Sequence, residues 1–141
     1  MRIVKASKIY LNDTGLIAFL LGRDIQRLKE DRTVSGRLLE NFIVNELSKQ
    51  VTWSTIQPAL YHFRTHGGNE VDIILENKQG QCVGIEVKAS SKISSDDTNS
   101  LKYLRSILKE SFVKGVILYM GETVIPFDKD ILAVPMPAVW G

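Results

Sequence analysis

Two carboxylates and an amine stand in the middle of the chain, within stretches that are otherwise apolar. Asp72 alternates with three apolar residues of its own predicted strand, Val71, Ile73 and Leu75. Glu86 and Lys88 are two residues apart in a second predicted strand, so they share one face of it. If the apolar faces of both strands pack on the same side, Asp72 lies on the same face as Glu86 and Lys88. The residues therefore predict a charged cluster on one side of two neighbouring strands.

Two chemistries fit this cluster. Asp72, Glu86 and the backbone carbonyl of Val87, completed by water, suit a hard cation such as Mg²⁺ or Mn²⁺. The ammonium of Lys88 would then position water or stabilise charge on a phosphate. The other reading is a structural cluster in which Lys88 pairs with Asp72 or Glu86, since charges among apolar residues need partners. Residue types and spacing alone favour the structural cluster.

A long helix is predicted to face these strands. The helical pattern runs from Val34 to Val51, with Ser35 as its predicted N-cap. Its apolar residues cover more than half of the circumference, which is typical of a mostly buried helix: Leu38, Leu39, Phe42, Ile43, Val44 and Leu47. Two carboxylates, Glu40 and Glu46, project inside this apolar arc. Periodicity does not choose between them.

Three strands, a helix and further strands follow the long helix. Alternating patterns over 60–66, 70–76 and 81–89, joined by turn sequences at 67–69 and 77–80, predict an antiparallel meander. A helix is predicted over about 97–109, a central strand over 115–120 and a short strand over 131–134. This order predicts an α/β fold.

The whole chain, 1–141, is predicted to form a single domain with three parts. Residues 1–33 form a lead-in and connection, 34–120 the core, and 121–141 a C-terminal strand and tail. Within the lead-in, we expect a short strand or extended segment over 1–12, a helix from Gly15 to Leu21, and a charged connection or surface helical turn over 23–33.

Composition excludes several classes of protein. The 141 residues, 44% hydrophobic and 24% charged, are typical of one globular domain and argue against disorder or a coiled coil. The net charge of +2 neither indicates nucleic-acid binding nor excludes a local basic groove. No apolar stretch approaches the roughly 20 residues that a membrane-spanning helix needs. The sequence begins without the apolar core of a signal peptide and has one cysteine, Cys82, so we expect a cytoplasmic protein.

A helix glutamate followed by an aspartate and a Glu-x-Lys sequence resembles the signature of the PD-(D/E)xK nuclease superfamily. Here these residues are Glu40, Asp72, Glu86 and Lys88. The resemblance selects Glu40 rather than Glu46. The order of elements is similar to the restriction-endonuclease-like αβββαβ core, a central mixed sheet flanked by helices.

Longer stretches resemble the C-terminal nuclease-like domain of prokaryotic predicted AAA+ ATPases. They cover residues 8–16, 36–47 and 61–72, and the similarity extends over nearly the whole chain. Val71 stands where the superfamily name has proline, and Asn99 stands where RecB-type members carry glutamine. The sequence has no Gly-x-x-x-x-Gly-Lys-Ser/Thr motif. The resemblance therefore implies the C-terminal part of a longer product whose ATPase module lies elsewhere.

The resemblance implies metal-dependent hydrolysis of phosphodiester bonds in nucleic acid, with DNA as the first expectation. Asp72, Glu86 and the carbonyl of Val87 would hold Mg²⁺ or Mn²⁺, and Glu40 would complete the metal or water shell. Lys88 would orient the attacking water and stabilise the developing charge. A homodimer is a further expectation, and no membrane partner is expected. The alternative is a catalytically silent module that binds nucleic acid, regulates the ATPase or docks a protein.

Overall fold

A computed structural model describes residues 8–141. The strands are β1 (Ala59–Arg64), β2 (Glu70–Glu76), β3 (Cys82–Lys88), β4 (Phe112–Tyr119), β5 (Ile125–Pro126) and β6 (Ile131–Pro135). The helices are α1 (Thr14–Leu20), α2 (Ile25–Glu30), α3 (Arg32–Trp53) and α4 (Asn99–Leu108). One 3-10 turn, Ser95–Thr98, leads into α4, and another, Met136–Trp140, follows β6.

The six strands form one mixed sheet in the order β1-β2-β3-β4-β6-β5. The predicted antiparallel meander of β1, β2 and β3 is confirmed. After α4, β4 pairs parallel with β3, and β6 pairs parallel with β4. The two-residue edge strand β5 was not predicted. The predicted fold class, α/β with a mixed sheet flanked by helices, is confirmed.

Two apolar clusters cover the two faces of the sheet. One contains Leu101 and Leu104 of α4, and the other contains Ile43 and Val44 of α3. Because α3 and α4 pack on opposite faces, the sheet is covered on both sides, which is typical of central parallel strands.

The predicted phase of β2 is wrong at its first residues. Val71 packs in the α4 cluster, whereas Ile73 packs in the α3 cluster, so these residues do not share a face. The cause is a shift of register: Tyr61 of β1 pairs with Ile74, but Phe63 pairs with Val71. Over this interval β2 advances three residues while β1 advances two. This is a β-bulge, which interrupts the alternation and redirects side chains.

Helix α3 begins earlier than predicted. Asp31 is its N-cap, and the Asp31 carboxylate accepts a hydrogen bond of 3.1 Å from the amide of Val34. The predicted cap, Ser35, is wrong: it lies inside the helix, and its hydroxyl donates to the carbonyl of Leu28. The contact of Ser35 with Leu28 of α2 leaves Asp31 as the cap, so tertiary packing decides between the two residues. The connection predicted over 23–33 contains α2.

The first predicted helix is confirmed within one residue at each end. The carboxylate of Asp13 accepts a 2.9 Å hydrogen bond from the amide of Leu16 and so caps α1. The segment predicted over 1–12 falls partly on residues 1–7, which lie outside the described residues. Residues 8–13 form neither helix nor strand. Within residues 8–141, every helix is too short or too polar to cross a bilayer.

Candidate functional site

The bulge in β2 places Asp72 at the point where β2 and β3 separate. The backbone ladder between these strands pairs Ile73 with Ile85 at the end nearest the bulge. Beyond that pair, the side chain of Asp72 replaces a backbone partner: its Oδ2 accepts a hydrogen bond of 2.8 Å from the amide of Val87. The carboxylate is therefore fixed against the strand that carries Glu86 and Lys88.

One open groove brings all the predicted site residues together. Helix α3 contributes Glu40, β2 contributes Asp72, and the end of β3 contributes the rest. The lining of the groove includes Glu40, Glu70, Asp72, Glu86, Val87 and Lys88. Glu46, the other carboxylate of α3, lies elsewhere and contacts Lys49 (2.6 Å) and the indole of Trp140 (3.2 Å). The structure therefore places Glu40 in the groove and Glu46 outside it, whereas periodicity could not choose between them.

Glu86 is the most buried carboxylate of the groove, with 5% of its surface exposed. Its Oε2 lies 3.4 Å from the Nζ of Lys88. Its Oε1 is buried and has no hydrogen-bond partner, the sole side-chain atom in that state among residues 8–141. Burial raises the pKa of Glu86 to about 7, although Lys88 opposes the shift. A buried acceptor without a partner is costly.

The carboxyl group of Asp72, like that of Glu86, has a raised pKa. Burial raises the pKa of Asp72 to about 6, against the opposing effect of the Val87 amide, and the negative charge of Glu40 adds to the rise. Burial is therefore the main cause of the raised pKa of both carboxyl groups, and a cation bound beside them would favour their ionised forms.

Lys88 reaches from β3 toward the start of α4. Its ammonium lies 3.4 Å from Glu86 Oε2 and 3.7 Å from Oδ1 of Asp97. The side chain is about one-third exposed (36%), so it borders the solvent as well as the carboxylates. This position leaves the ammonium accessible from the groove.

Three further residues were not predicted as site residues: Glu70 lines the groove, and Lys8 and Tyr10 line the cavity that adjoins it. The Nζ of Lys8 lies 2.8 Å from Glu40 Oε1, 2.5 Å from Glu70 Oε1 and 3.7 Å from Asp72 Oδ1. The hydroxyl of Tyr10 donates to Glu40 Oε1 over 2.8 Å. Burial alone would lower the pKa of Lys8, but the hydrogen bonds to Glu40 and Glu70 raise it above its usual value. Lys8 correspondingly lowers the pKa of Glu70, against the effect of burial.

The segment that carries Lys8 is tied to α3. The side chain of Asn41, buried among its neighbours, accepts from the amide of Leu11 (3.0 Å) and donates to its carbonyl (2.9 Å). Asn45 donates to the same carbonyl over 2.7 Å. Residues 30 or more positions apart meet here, so no local spacing in the sequence could have indicated Lys8. Glu70 had a signal: it stands two residues before Asp72.

The groove offers a divalent ion two carboxylates and a carbonyl. Among the described residues, no three His, Cys, Asp or Glu side chains form a group that could hold a metal ion. Glu40 and Glu70 are engaged by Lys8. Asp72, Glu86 and the carbonyl of Val87, with water, still fit Mg²⁺, which keeps much of its hydration and often binds one or two carboxylates. The orphaned oxygen of Glu86 is the observation that favours this fit.

Arginines border the acidic groove. Arg32 and Arg37 of α3 line it, and Arg37 also lines the adjoining cavity that contains Lys8. Arg32 continues into a further cavity with Arg23 and Arg27 of the preceding turn and α2. Glu30 and Asp31 line this cavity as well, and Asp31 Oδ2 lies 3.4 Å from Nη2 of Arg23. The guanidinium groups of Arg27, Arg32 and Arg37 still form a basic strip from α2 to the groove, and such a strip attracts a polyanion.

Residues 35–139 match the family described as "Domain of unknown function (DUF4143)", so the chain belongs to that family. Two curated relatives are the uncharacterized proteins Mb2031c of Mycobacterium bovis and Rv2008c of Mycobacterium tuberculosis. Each is 30% identical over 132 residues, which cover 93% of this chain. The matched region spans 28% of the length of each relative.

Proposed function

We propose that this DUF4143 domain is a metal-dependent nuclease that hydrolyses phosphodiester bonds of nucleic acid, with DNA as the first substrate to test. One observation carries the proposal: Glu86 is buried with an unpartnered oxygen beside a second carboxylate, Asp72, whose pKa is also raised. A divalent cation would supply the missing partner and favour the ionised form of both groups.

The chain's own residues divide the work. Asp72 and Glu86, with the carbonyl of Val87, would hold Mg²⁺ or Mn²⁺, which supplies Lewis-acid stabilisation of charge at the phosphate. The Val87 amide holds the Asp72 carboxylate in place. Lys88 orients a water molecule for attack and stabilises negative charge on the phosphate, because its ammonium is accessible from the groove. Glu40 accepts hydrogen bonds from the water shell.

The topology supports a restriction-endonuclease-like core. Helix α3, the meander β1-β2-β3, the crossover helix α4 and the parallel strand β4 follow one another as in the αβββαβ order. In this arrangement the central strands β2 and β3 carry the carboxylates, and the first helix supplies Glu40.

The longer relatives support a role within a larger protein. The matched region spans 28% of each relative, which agrees with a domain that works beside another module, here proposed to be an AAA+ ATPase. A cytoplasmic location stays a prediction from the sequence, and a homodimer stays a prediction of the resemblance.

A second candidate function is a catalytically silent module that binds nucleic acid or regulates an attached ATPase. The observation that favours it is Lys8, whose ammonium already forms ion pairs with Glu40 and Glu70 without a metal. The basic strip of α2 and α3 would serve this function as well as catalysis.

A cleavage assay tests the proposal. The protein is incubated with circular single-stranded DNA, supercoiled DNA and RNA, with Mg²⁺ or Mn²⁺ or with EDTA. We expect metal-dependent cleavage that falls about 100-fold or more in Asp72→Asn, Glu86→Gln and Lys88→Met, since each removes a group that acts on the transition state.

The matched control is Lys78→Met. Lys78 is an exposed lysine in the turn between β2 and β3, at the opposite end of these strands from the groove. Its cleavage rate should equal that of the unmodified protein. Absence of cleavage with every substrate and both metals, or full activity in Asp72→Asn, would overturn the nuclease proposal.

A further inference from the structure

Lys8 occupies the position of a cation among three carboxylates. Oxygens of Glu40, Glu70 and Asp72 lie 2.8, 2.5 and 3.7 Å from its Nζ. The three oxygens come from α3, from the first residue of β2 and from the bulge. The side chain of Lys8 is 22% exposed and lines the adjoining cavity, so the ammonium meets these carboxylates from that side of the groove.

The ammonium is held there by more than its own ion pairs. Asn41 binds both backbone polar groups of Leu11, and Tyr10 donates to the same oxygen of Glu40 that Lys8 contacts. Lys8 is therefore delivered to the groove by a segment with a fixed path along α3. A charge on such a segment costs less conformational entropy to place than one on a free surface side chain.

The two ends of the groove differ as a result. At the Lys8 end, one oxygen each of Glu40 and Glu70 is engaged by the ammonium. At the Lys88 end, Oε1 of Glu86 has no partner at all. Asp72 lies between them, with Oδ1 directed to Lys8 and Oδ2 to the Val87 amide.

We propose that the Lys8 ammonium is a built-in cation of the site that takes the place of a second divalent ion, so that the groove binds one divalent ion at its Asp72–Glu86 end. This inference rests on the proposed function. Two-metal phosphodiesterases place their ions about 3.5–4 Å apart, and a shared carboxylate such as Asp72 would link the two positions. Lys8 fills one position with a charge that cannot dissociate from the protein.

The test counts bound metal ions. Mn²⁺ binding is measured by calorimetry and by the loss of the free-ion paramagnetic resonance signal, with no nucleic acid present. We expect one Mn²⁺ per chain in the unmodified protein, one in Lys8→Arg, and two in Lys8→Met. The methionine keeps most of the length of the side chain but removes the positive charge that pairs with the three carboxylates. Glu70→Gln, added to Lys8→Met, should return the count to one.

The matched control is Lys49→Met, which removes the ammonium that pairs with the other glutamate of α3, Glu46, over 2.6 Å. The count should stay at one. Thermal unfolding of each variant establishes that it is folded, and Lys8→Gln, which also removes the charge and should also bind two Mn²⁺, carries the comparison if Lys8→Met is not.

The outcomes separate the inference from the proposed function. One Mn²⁺ in both the unmodified protein and Lys8→Met would overturn the role of Lys8 and leave the metal site standing. No Mn²⁺ in the unmodified protein but one in Lys8→Met would support Lys8 as the resident cation and overturn the metal-dependent nuclease. No Mn²⁺ in either protein would overturn both. A second ion in Lys8→Arg would also overturn the inference.

Discussion

Burial controls the protonation of the two central carboxyl groups. Asp72 and Glu86 keep 17% and 7% of their side-chain surface exposed, and their pKa values rise to about 6 and about 7. Both values exceed those of an unfolded chain, so the folded protein binds protons that the unfolded protein has released. The stability of the metal-free protein is thereby coupled to pH.

The free energy of unfolding without metal should decrease as pH rises from about 4 to about 7. The contribution of each raised carboxyl group is fully present below its unfolded pKa and is lost as pH rises through its folded pKa. One pKa unit corresponds to about 1.4 kcal/mol, so the combined loss is on the order of a few kcal/mol. Urea unfolding in EDTA at several pH values measures it.

The variants Asp72→Asn and Glu86→Gln should flatten this pH dependence. Glu70→Gln is the opposite control: the pKa of Glu70 is lowered, so Glu70 contributes stability that is lost as pH falls, and removing it steepens the decline. Mg²⁺ should restore stability near pH 7–8 if the ion binds both carboxylates. A protein whose stability increases from pH 4 to 7 in EDTA would contradict the raised pKa values.

Individual site residues could be predicted where strand alternation and family resemblance acted together. Glu86 and Lys88 share a strand face, and Glu40 was selected by the resemblance; all three line the groove. Lys8 could not be predicted, because its partners are more than 30 residues away and nothing local marks it. The orientation of Asp72 depends on the β-bulge, which the alternation of apolar and polar residues could not predict.

At the scale of the elements, the packing of α4 against β3 depends on a glycine of β3, Gly84. A Cβ at Gly84 would lie 2.9 Å from Cδ2 of both Leu101 and Leu104. Glycine at this position lets α4 approach the strand that carries Glu86 two residues later. Close packing of α4 against β3 therefore helps to fix the position of the strand that carries Glu86 and Lys88.

Gly84→Ala should destabilise the protein by about 1–3 kcal/mol, because the added methyl overpacks the α4 cluster. Gly36→Ala is the matched control: it lies inside α3, with no heavy atom within 4 Å of its added Cβ. Alanine should stabilise that helix by about 0.5–1 kcal/mol. Urea unfolding of the two variants measures the difference. Equal stabilities would contradict the packing of α4 on β3.

Element types were more predictable than element ends. The meander follows from alternation and turn residues, and α4 from its apolar stripe. The N-cap of α3 was misplaced because Ser35 and Asp31 are both good caps, and only tertiary packing decides between them. The two-residue strand β5 carries too few residues for any period, and it exists through its pairing with β6.

At the scale of the whole molecule, charge is distributed unevenly although the net charge is only +2. Arginines of α2 and the first turns of α3 line the cavities that adjoin the carboxylates. Composition could not reveal this strip, because acidic residues, including Glu30 and Asp31 of the same cavity, balance it in the net charge. The fold creates the local field by packing α2 against α3 and by placing the first turns of α3 beside the end of β3.

Arg32→Gln combined with Arg37→Gln should weaken nucleic-acid binding. Each lost phosphate contact should reduce the slope of log affinity against log salt by about one. Fluorescence anisotropy with labelled single-stranded and double-stranded DNA, in EDTA to prevent cleavage, measures both quantities. Lys78→Gln, at the far end of β2 and β3, should change neither. Unchanged affinity and slope in the double variant would exclude the strip as the path of the phosphate backbone.

The contact of the last turn with α3 gives the protein an optical reporter. The indole of Trp140 donates to Glu46 over 3.2 Å, and its ring lies 5.8 Å from that of Phe42. The other tryptophan, Trp53, is 71% exposed, so its emission changes little when the chain unfolds. Trp140 is 50% exposed and keeps its contacts with Glu46 and Phe42 only while the C-terminal turn lies on α3. Intrinsic fluorescence therefore reports chiefly the release of this turn from α3.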